Sequence, residues 1–343
     1  TTPPALAARL APVLRRAHNL GTGVSGTRGT GKSQLLKTLT WLNVTHAPKP
    51  TIVLDPVGAT IDGILGQIPY FHPEDQRRLW SRIRYVNCSP TEHTIPMPLY
   101  YTTGVGRETL FSRAQRLSDT FIKLDPKLRD ASVLGANALI ELATHLGRIL
   151  IALDYQPSEI EPLLADIPAW SGKFGEAVAR HPEVADSVAF VSEQFAALTP
   201  AGQRERSRAL TNKLFFLADP ATKAQFCAST PGLDWQALMR ERQLWLIDLR
   251  HEHDWEVRRF KLLLLWQAIT DFARRWGAAH AGDRTSPLAV TIDEVSFLFS
   301  RSASARSPLV DELDSIINQY SRNVNLELTI AWQELYQLPP GLK

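Results

Sequence analysis

The segment Gly26-Thr27-Arg28-Gly29-Thr30-Gly31-Lys32-Ser33 follows the spacing G-x-x-x-x-G-K-[S/T] in full. Its residue types say what chemistry it can do. Glycines let consecutive backbone N–H groups curl round an anion with no Cβ in the way. A helix starting at Lys32 points the positive end of its dipole at the same anion. The Lys32 ammonium would reach the β- and γ-phosphates of a nucleotide, and the Ser33 hydroxyl would bind Mg2+. A chance glycine-rich turn is the plain alternative. Against it stand Leu35, Leu36, Leu39 and Leu42 directly behind, at helical spacing.

A second segment supplies carboxylates. Leu288-Ala289-Val290-Thr291-Ile292 is a buried-type strand, and Asp293-Glu294 ends it. Asp293 is placed to hold Mg2+ through water, and Glu294 to activate an attacking water. An acidic pair at a strand end is by itself common, as a helix N-cap or a solvated turn. Beside a phosphate loop the catalytic reading leads. It points to ATP hydrolysis rather than small-molecule phosphorylation, because a water has to be activated. A third strand, Leu326–Ala331, runs into Trp332-Gln333-Glu334. Gln333 at that tip can bond the γ-phosphate or the attacking water; a surface glutamine at a turn is the alternative.

The elements that must position these groups read as follows. Residues 5–17 form a short helix, His18–Ser25 a strand poor in apolar residues, and residues 32–43 a helix. Thr51–Leu54 is a strand ending at Asp55-Pro56, followed by a helix through Ile61, Ile64 and Leu65. Arg82–Asn87 is a further strand, leading to a proline-rich loop. From about 106 to 240 helical periodicity dominates, as in Leu134–Leu153 and Val184–Leu198. Strands return at Gln243–Leu249, Leu288–Ile292 and Leu326–Ala331, between helices 256–276 and 308–321. Alternation at the two ends predicts an α/β protein with a mostly parallel sheet covered on both faces. The division is a first core part over 1–104, an all-helical insertion over 105–240 and a second core part over 241–343.

Composition narrows little. The 343 residues carry a net charge of +3, with 44% hydrophobic and 21% charged residues, as in ordinary soluble domains. The charge gives weak support to a nucleic-acid partner and fits a solvated surface as well. The two cysteines, Cys88 and Cys227, have neither disulfide-framework nor metal-ligand spacing and read as reduced thiols. No apolar run approaches the ~20 residues of a membrane span. A cytoplasmic setting is expected, with room for an inner-membrane anchor on a segment upstream, since a strand arrives early and the chain stops soon after one.

The motifs in order resemble the FtsK–HerA superfamily of hexameric DNA-pumping ATPases, most closely the type IV coupling proteins of conjugation. Five segments carry the likeness: the phosphate loop; Thr51–Leu65 (TIVLDPVGATIDGIL), similar to a strand–D-P-K-G–helix; Tyr85–Leu99 (YVNCSPTEHTIPMPL), similar to a strand and an N-P-L element; the D-E strand; and Gln333. Val57 stands where the family often has lysine, and Met97 where it often has asparagine. The resemblance implies a RecA-like P-loop core, a ring of six subunits, and ATP between neighbours, each lending an arginine to the next. The matching arginine is Arg322; a helix-terminal arginine offsetting the dipole is an equal alternative. Arg250 and Arg258 are lesser candidates.

Two functions compete. One is a ring motor that hydrolyses ATP to translocate DNA, with secretion-apparatus or relaxase-like partners. The other is a nucleotide-switched assembly factor docking protein partners of a secretion or defence machine. The loop Phe299–Pro308 (FSRSASARSP) directly follows the D-E strand. On the motor reading Arg301 and Arg306 in it grip DNA phosphates; otherwise the loop is plain surface.

Overall fold

The computed structural model describes residues 22–27, 29–46, 48–89, 95–106, 108–124, 133–280, 287–299, 308–316 and 326–333. The helix expected over residues 5–17 lies outside them. The chain divides into two units. One holds Thr1–Ser89, Thr103–Gly106 and Asp234–Lys343; the other holds Pro90–Thr102 and Arg107–Leu233.

In chain order the main elements are β1 (Thr22–Ser25), α1 (Lys32–Trp41), β2 (Thr51–Asp55), α2 (Ala59–Leu65), α3 (Pro73–Arg82) and β3 (Ile83–Asn87). Then come α4 (Leu110–Leu124) and α5 (Val133–Ala152) of the second unit, followed by β4 (Leu244–Asp248), α6 (Trp255–Ala279), β5 (Leu288–Ile292) and β6 (Leu326–Trp332). The strands form one parallel sheet in the order β1-β6-β5-β2-β4-β3. This is the α/β class and parallel sheet that the strand–helix alternation predicts. Every residue of β2, β4 and β5 is buried. Their sequences are accordingly near-continuous apolar runs, broken only by Thr51, Thr291 and the aspartates at the tips of β2 and β4, rather than alternating ones.

Register aligns the strand ends. Asp55 pairs with Asp248, Asp248 with Asn87, Leu54 with Ile292, Ile292 with Ile330, and Ser25 with Trp332. The C-terminal tips thus lie along one edge, where ligands bind in open α/β sheets.

Two local differences from the sequence pattern have physical causes. Helix α1 ends at Trp41 and widens into a π-turn over Leu42–His46, where the Thr45 hydroxyl donates to the Trp41 carbonyl at 2.6 Å. Helix α3 was not expected. Yet Pro73 opens it, Glu74 and Asp75 sit in its first turn and Arg82 in its last, each suited to its end of the dipole.

Helix α6 is buried along most of its length, and its start is capped by the Asp254 carboxylate, which accepts from the Glu256 and Val257 N–H groups. Such a cap contributes about 1 kcal/mol. The fully buried Lys261 donates to Glu252 Oε2 at 2.7 Å and to the Cys88 carbonyl at 2.5 Å. Burial pushes the Cys88 thiol up to about 12, so it stays protonated. In the helical unit, α4 and α5 cross closely at Ala114 and Gly147, where a Cβ on Gly147 would come 2.8 Å from that of Ala114. Pro90–Thr102 is joined to this unit by backbone bonds from Met97 to Gln225 and from Leu99 to Phe226, with Gly232 donating to Pro96.

Candidate functional site

The glycine-rich segment turns sharply out of β1 and into α1. Gly29 and Gly31 both have φ of +88°, the left-handed region that L side chains avoid. Gly31 is the N-cap of α1. A Cβ at either glycine would meet nothing within 4 Å, so the turn's backbone faces open space. Thr30 closes the turn, its hydroxyl donating to the Thr27 carbonyl at 2.9 Å. Arg28 lies outside the described residues. Ser33 is half-buried on the first turn of α1.

Strand β6 lies between β1 and β5. That placement brings three separate tips together. Lys32 Nζ stands 3.4 Å from Glu294 Oε2, and Gln333 Nε2 donates to the same oxygen at 2.8 Å. The Ser296 hydroxyl donates to Glu294 Oε1 at 2.9 Å. Glu294 is only 5% exposed. It also sits in the left-handed region, with φ 57° and ψ 61°. A non-glycine residue there is uncommon, and such strain clusters where a side chain must be aimed.

Asp293 precedes it, 5% exposed. Its backbone N–H donates to the Leu54 carbonyl, and its Oδ2 accepts the Thr60 hydroxyl at 2.7 Å. Asp55, at the tip of the neighbouring β2, is fully buried. Its carboxylate accepts backbone N–H groups from Val57, Gly58, Thr60 and Ile61, which fixes the turn into α2. Burial, with the Asp293 charge beside it, raises the Asp55 pKa, while those backbone donors oppose the shift.

Arg250, after β4, straps this turn down. It bonds Asp248 through Nε and Asp62 bidentately. These bonds lower the Asp62 pKa. The guanidinium lies so close over Gly58 that a Cβ there would fall 2.1 Å from Arg250 Nε. Gly58 also has φ of +86°. Gly58→Ala is therefore expected to lose at least about 1–2 kcal/mol from the backbone alone, with the Arg250 strap displaced in addition. Denaturant unfolding measures this; an unchanged midpoint would refute it.

The turn after Glu294 is anchored as well. Phe297 packs on Trp255 with ring centroids 4.8 Å apart, and Arg259 Nε donates to the Leu298 carbonyl at 3.3 Å. Both partners stand on the first turns of α6.

The structure thus brings together Lys32, Glu294 and Gln333, with Asp293 on the same rim. Arg301, Arg306 and Arg322 lie outside the described residues. Arg250 and Arg258 are occupied within their own chain, Arg258 by the Glu252 carbonyl. Sequence reasoning missed Thr60, Ser296 and the Arg250 strap. Only the strap had a signal, an Arg two residues beyond the Asp248 strand tip.

The residues present fit a phosphate-bound Mg2+. Asp293 keeps Oδ1 without a described partner, and the Ser33 hydroxyl has none either. Among the described residues, no group of three or more His, Cys, Asp or Glu could hold a metal unaided. That suits an ion completed by a ligand's own oxygens.

Glycine loop, helix dipole, inserted strand and acidic tip define a RecA-like P-loop nucleoside-triphosphatase fold. Solved structures share it. The bacterial conjugative coupling protein TrwBdeltaN70, in its unbound monoclinic form, superposes with a TM-score of 0.56 at 19% identity, over 94% of this chain and 64% of that one. TrwB in complex with ADP and Mg2+ gives 0.54 at 17%, over 94% and 65%. VirB4 of Thermoanaerobacter pseudethanolicus gives 0.51 at 16%, over 94% and 72%. The chain therefore spans just under two thirds of the coupling protein's length. No family model matches the sequence, and no curated protein matches it either. Among the described residues no helix is long and apolar enough to cross a membrane.

Proposed function

We propose that this chain is the ATPase core of a ring motor that translocates DNA, in the manner of the conjugative coupling proteins whose fold it shares. The observation that carries the ATPase half is the meeting of Lys32 and Gln333 on the Glu294 carboxylate at the rim of the sheet. The backbone of Gly29–Ser33 and the Lys32 ammonium bind the ATP phosphates. Ser33 and Asp293 hold Mg2+, which neutralises phosphate charge when bound. Glu294 takes the proton of the attacking water, and Gln333 orients that water or the γ-phosphate. Lys32 must leave Glu294 to reach the phosphates. Binding thus frees the base in the same movement that places the substrate.

The motor half rests on the likeness of fold and on the loop after the D-E strand. On this reading the subunits form a hexameric ring, Arg322 reaches the neighbour's ATP, and Arg301 and Arg306 grip DNA in the channel. Replacing Arg301 and Arg306 together by alanine is expected to weaken DNA binding alike on unrelated sequences, because phosphates carry no base identity. The dependence of log affinity on log salt should flatten, because fewer counterions are released. Stimulation of ATP hydrolysis by DNA should fall, while hydrolysis without DNA persists. DNA affinity, salt slope and stimulation all unchanged would favour the second reading, a nucleotide-switched assembly factor acting on protein partners.

A further inference from the structure

We propose that Thr60 is a positioning residue for the metal half of the site. Its hydroxyl fixes the orientation of the Asp293 carboxylate and so sets the affinity for a phosphate-bound divalent cation. The proposal rests on the nucleotide reading above.

Helical threonines usually spend their hydroxyl on their own helix. Thr38, Thr40, Thr120 and Thr270 do so here, each bonding the carbonyl four residues back. Thr60 does not. Its hydroxyl leaves α2 and reaches Asp293 Oδ2 at 2.7 Å, across 233 residues of sequence. Thr60 is fully buried, so the bond is shielded from water.

The donor itself is held still. The Thr60 N–H donates to Asp55 Oδ2 at 2.8 Å, one of the backbone bonds by which Asp55 sets the start of α2. The same short helix is held a second time two residues on, where Asp62 in its first turn accepts from Arg250, just beyond β4. Thr60 is thus a bracket with two fixed ends, its N–H on the β2 tip and its hydroxyl on the β5 tip. It engages one oxygen of Asp293 and leaves Oδ1 for a ligand. A carboxylate that binds a metal, or a metal's water, is commonly oriented this way by an outer donor, and losing that donor costs about 10–100-fold in metal affinity.

The test compares Thr60→Val, Thr60→Ser and Asp293→Asn with the parent chain. Valine keeps the shape and the N–H that Asp55 needs, and removes only the hydroxyl donor; serine restores it. The probe is a fluorescent ATP analogue, whose binding is followed as Mg2+ is added, with thermal melting alongside. Thr60→Val is expected to bind the metal-free analogue as the parent does. Its Mg2+ midpoint should be about 10–100-fold higher, and turnover should recover largely at saturating Mg2+. Thr60→Ser should lie close to the parent. If Thr60→Val melts too low to measure, Thr60→Ala is read by the same titration. A Thr60→Val midpoint equal to the parent's, beside a raised midpoint in Asp293→Asn, overturns the proposal alone. Unchanged midpoints in both overturn the reading of Asp293 beneath it.

Discussion

Lys32→Ala is expected to reduce ATP hydrolysis to background, a loss of at least about 10²–10³-fold, the scale of removing one charge-stabilising donor from a buried site. Nucleotide binding should weaken strongly as well, since Lys32 meets the phosphates in the ground state too. The structure adds a second expectation. Lys32 and Glu294 form a shielded pair, with side chains 10% and 7% exposed. Stripping one partner from such a pair normally leaves an uncompensated charge. Here Gln333 and Ser296 still donate to Glu294, so the fold should survive with a modest drop in melting temperature. Circular dichroism establishes folding, and phosphate release measures turnover. A folded variant that hydrolyses ATP at the parent rate would defeat the whole nucleotide assignment.

Glu294→Gln should separate binding from chemistry. Losing a general base costs about 10²–10⁴-fold in rate. The amide keeps the shape and can still accept from Gln333. It no longer holds Lys32 as an ion pair, so the lysine moves to the phosphates at less cost. ATP should therefore bind as tightly as to the parent or more so, while turnover nearly stops and the ATP state accumulates. Equilibrium binding beside single-turnover hydrolysis reads both quantities. Lost ATP binding, rather than lost turnover, would make Glu294 a structural residue.

Much of this site was legible in the sequence because it is local. The phosphate loop lies within eight residues, and two of its glycines, Gly29 and Gly31, are required by left-handed backbone angles. The D-E pair ends a strand whose almost wholly apolar run, with Thr291 the exception, announces burial on both faces. What could not be read is non-local. Nothing in the order of elements says that β6 sits between β1 and β5, and that insertion alone brings Gln333 to Glu294. The Thr60 hydroxyl is equally silent, because its partner stands 233 residues away on another strand tip. The Arg250 strap needs β4 beside β2, a pairing across an inserted helical unit. Helix α3 is a different case. Its proline start, acidic first turn and basic last turn were present, masked by a sparse apolar face in which Leu79 alone is buried.

The backbone at Glu294 has a consequence for anyone who would improve this protein. Position 294 has the dihedral angles of a glycine or asparagine, and a designer optimising stability would write one of those there. The chain carries a glutamate instead, almost wholly enclosed. Some stability is withheld at that residue, whose strained backbone carries a carboxylate 3.4 Å from Lys32. Thermostabilising campaigns that score substitutions by backbone fit will therefore rank this residue among the first to replace. On the mechanism proposed above, it is one of the last they can afford to lose.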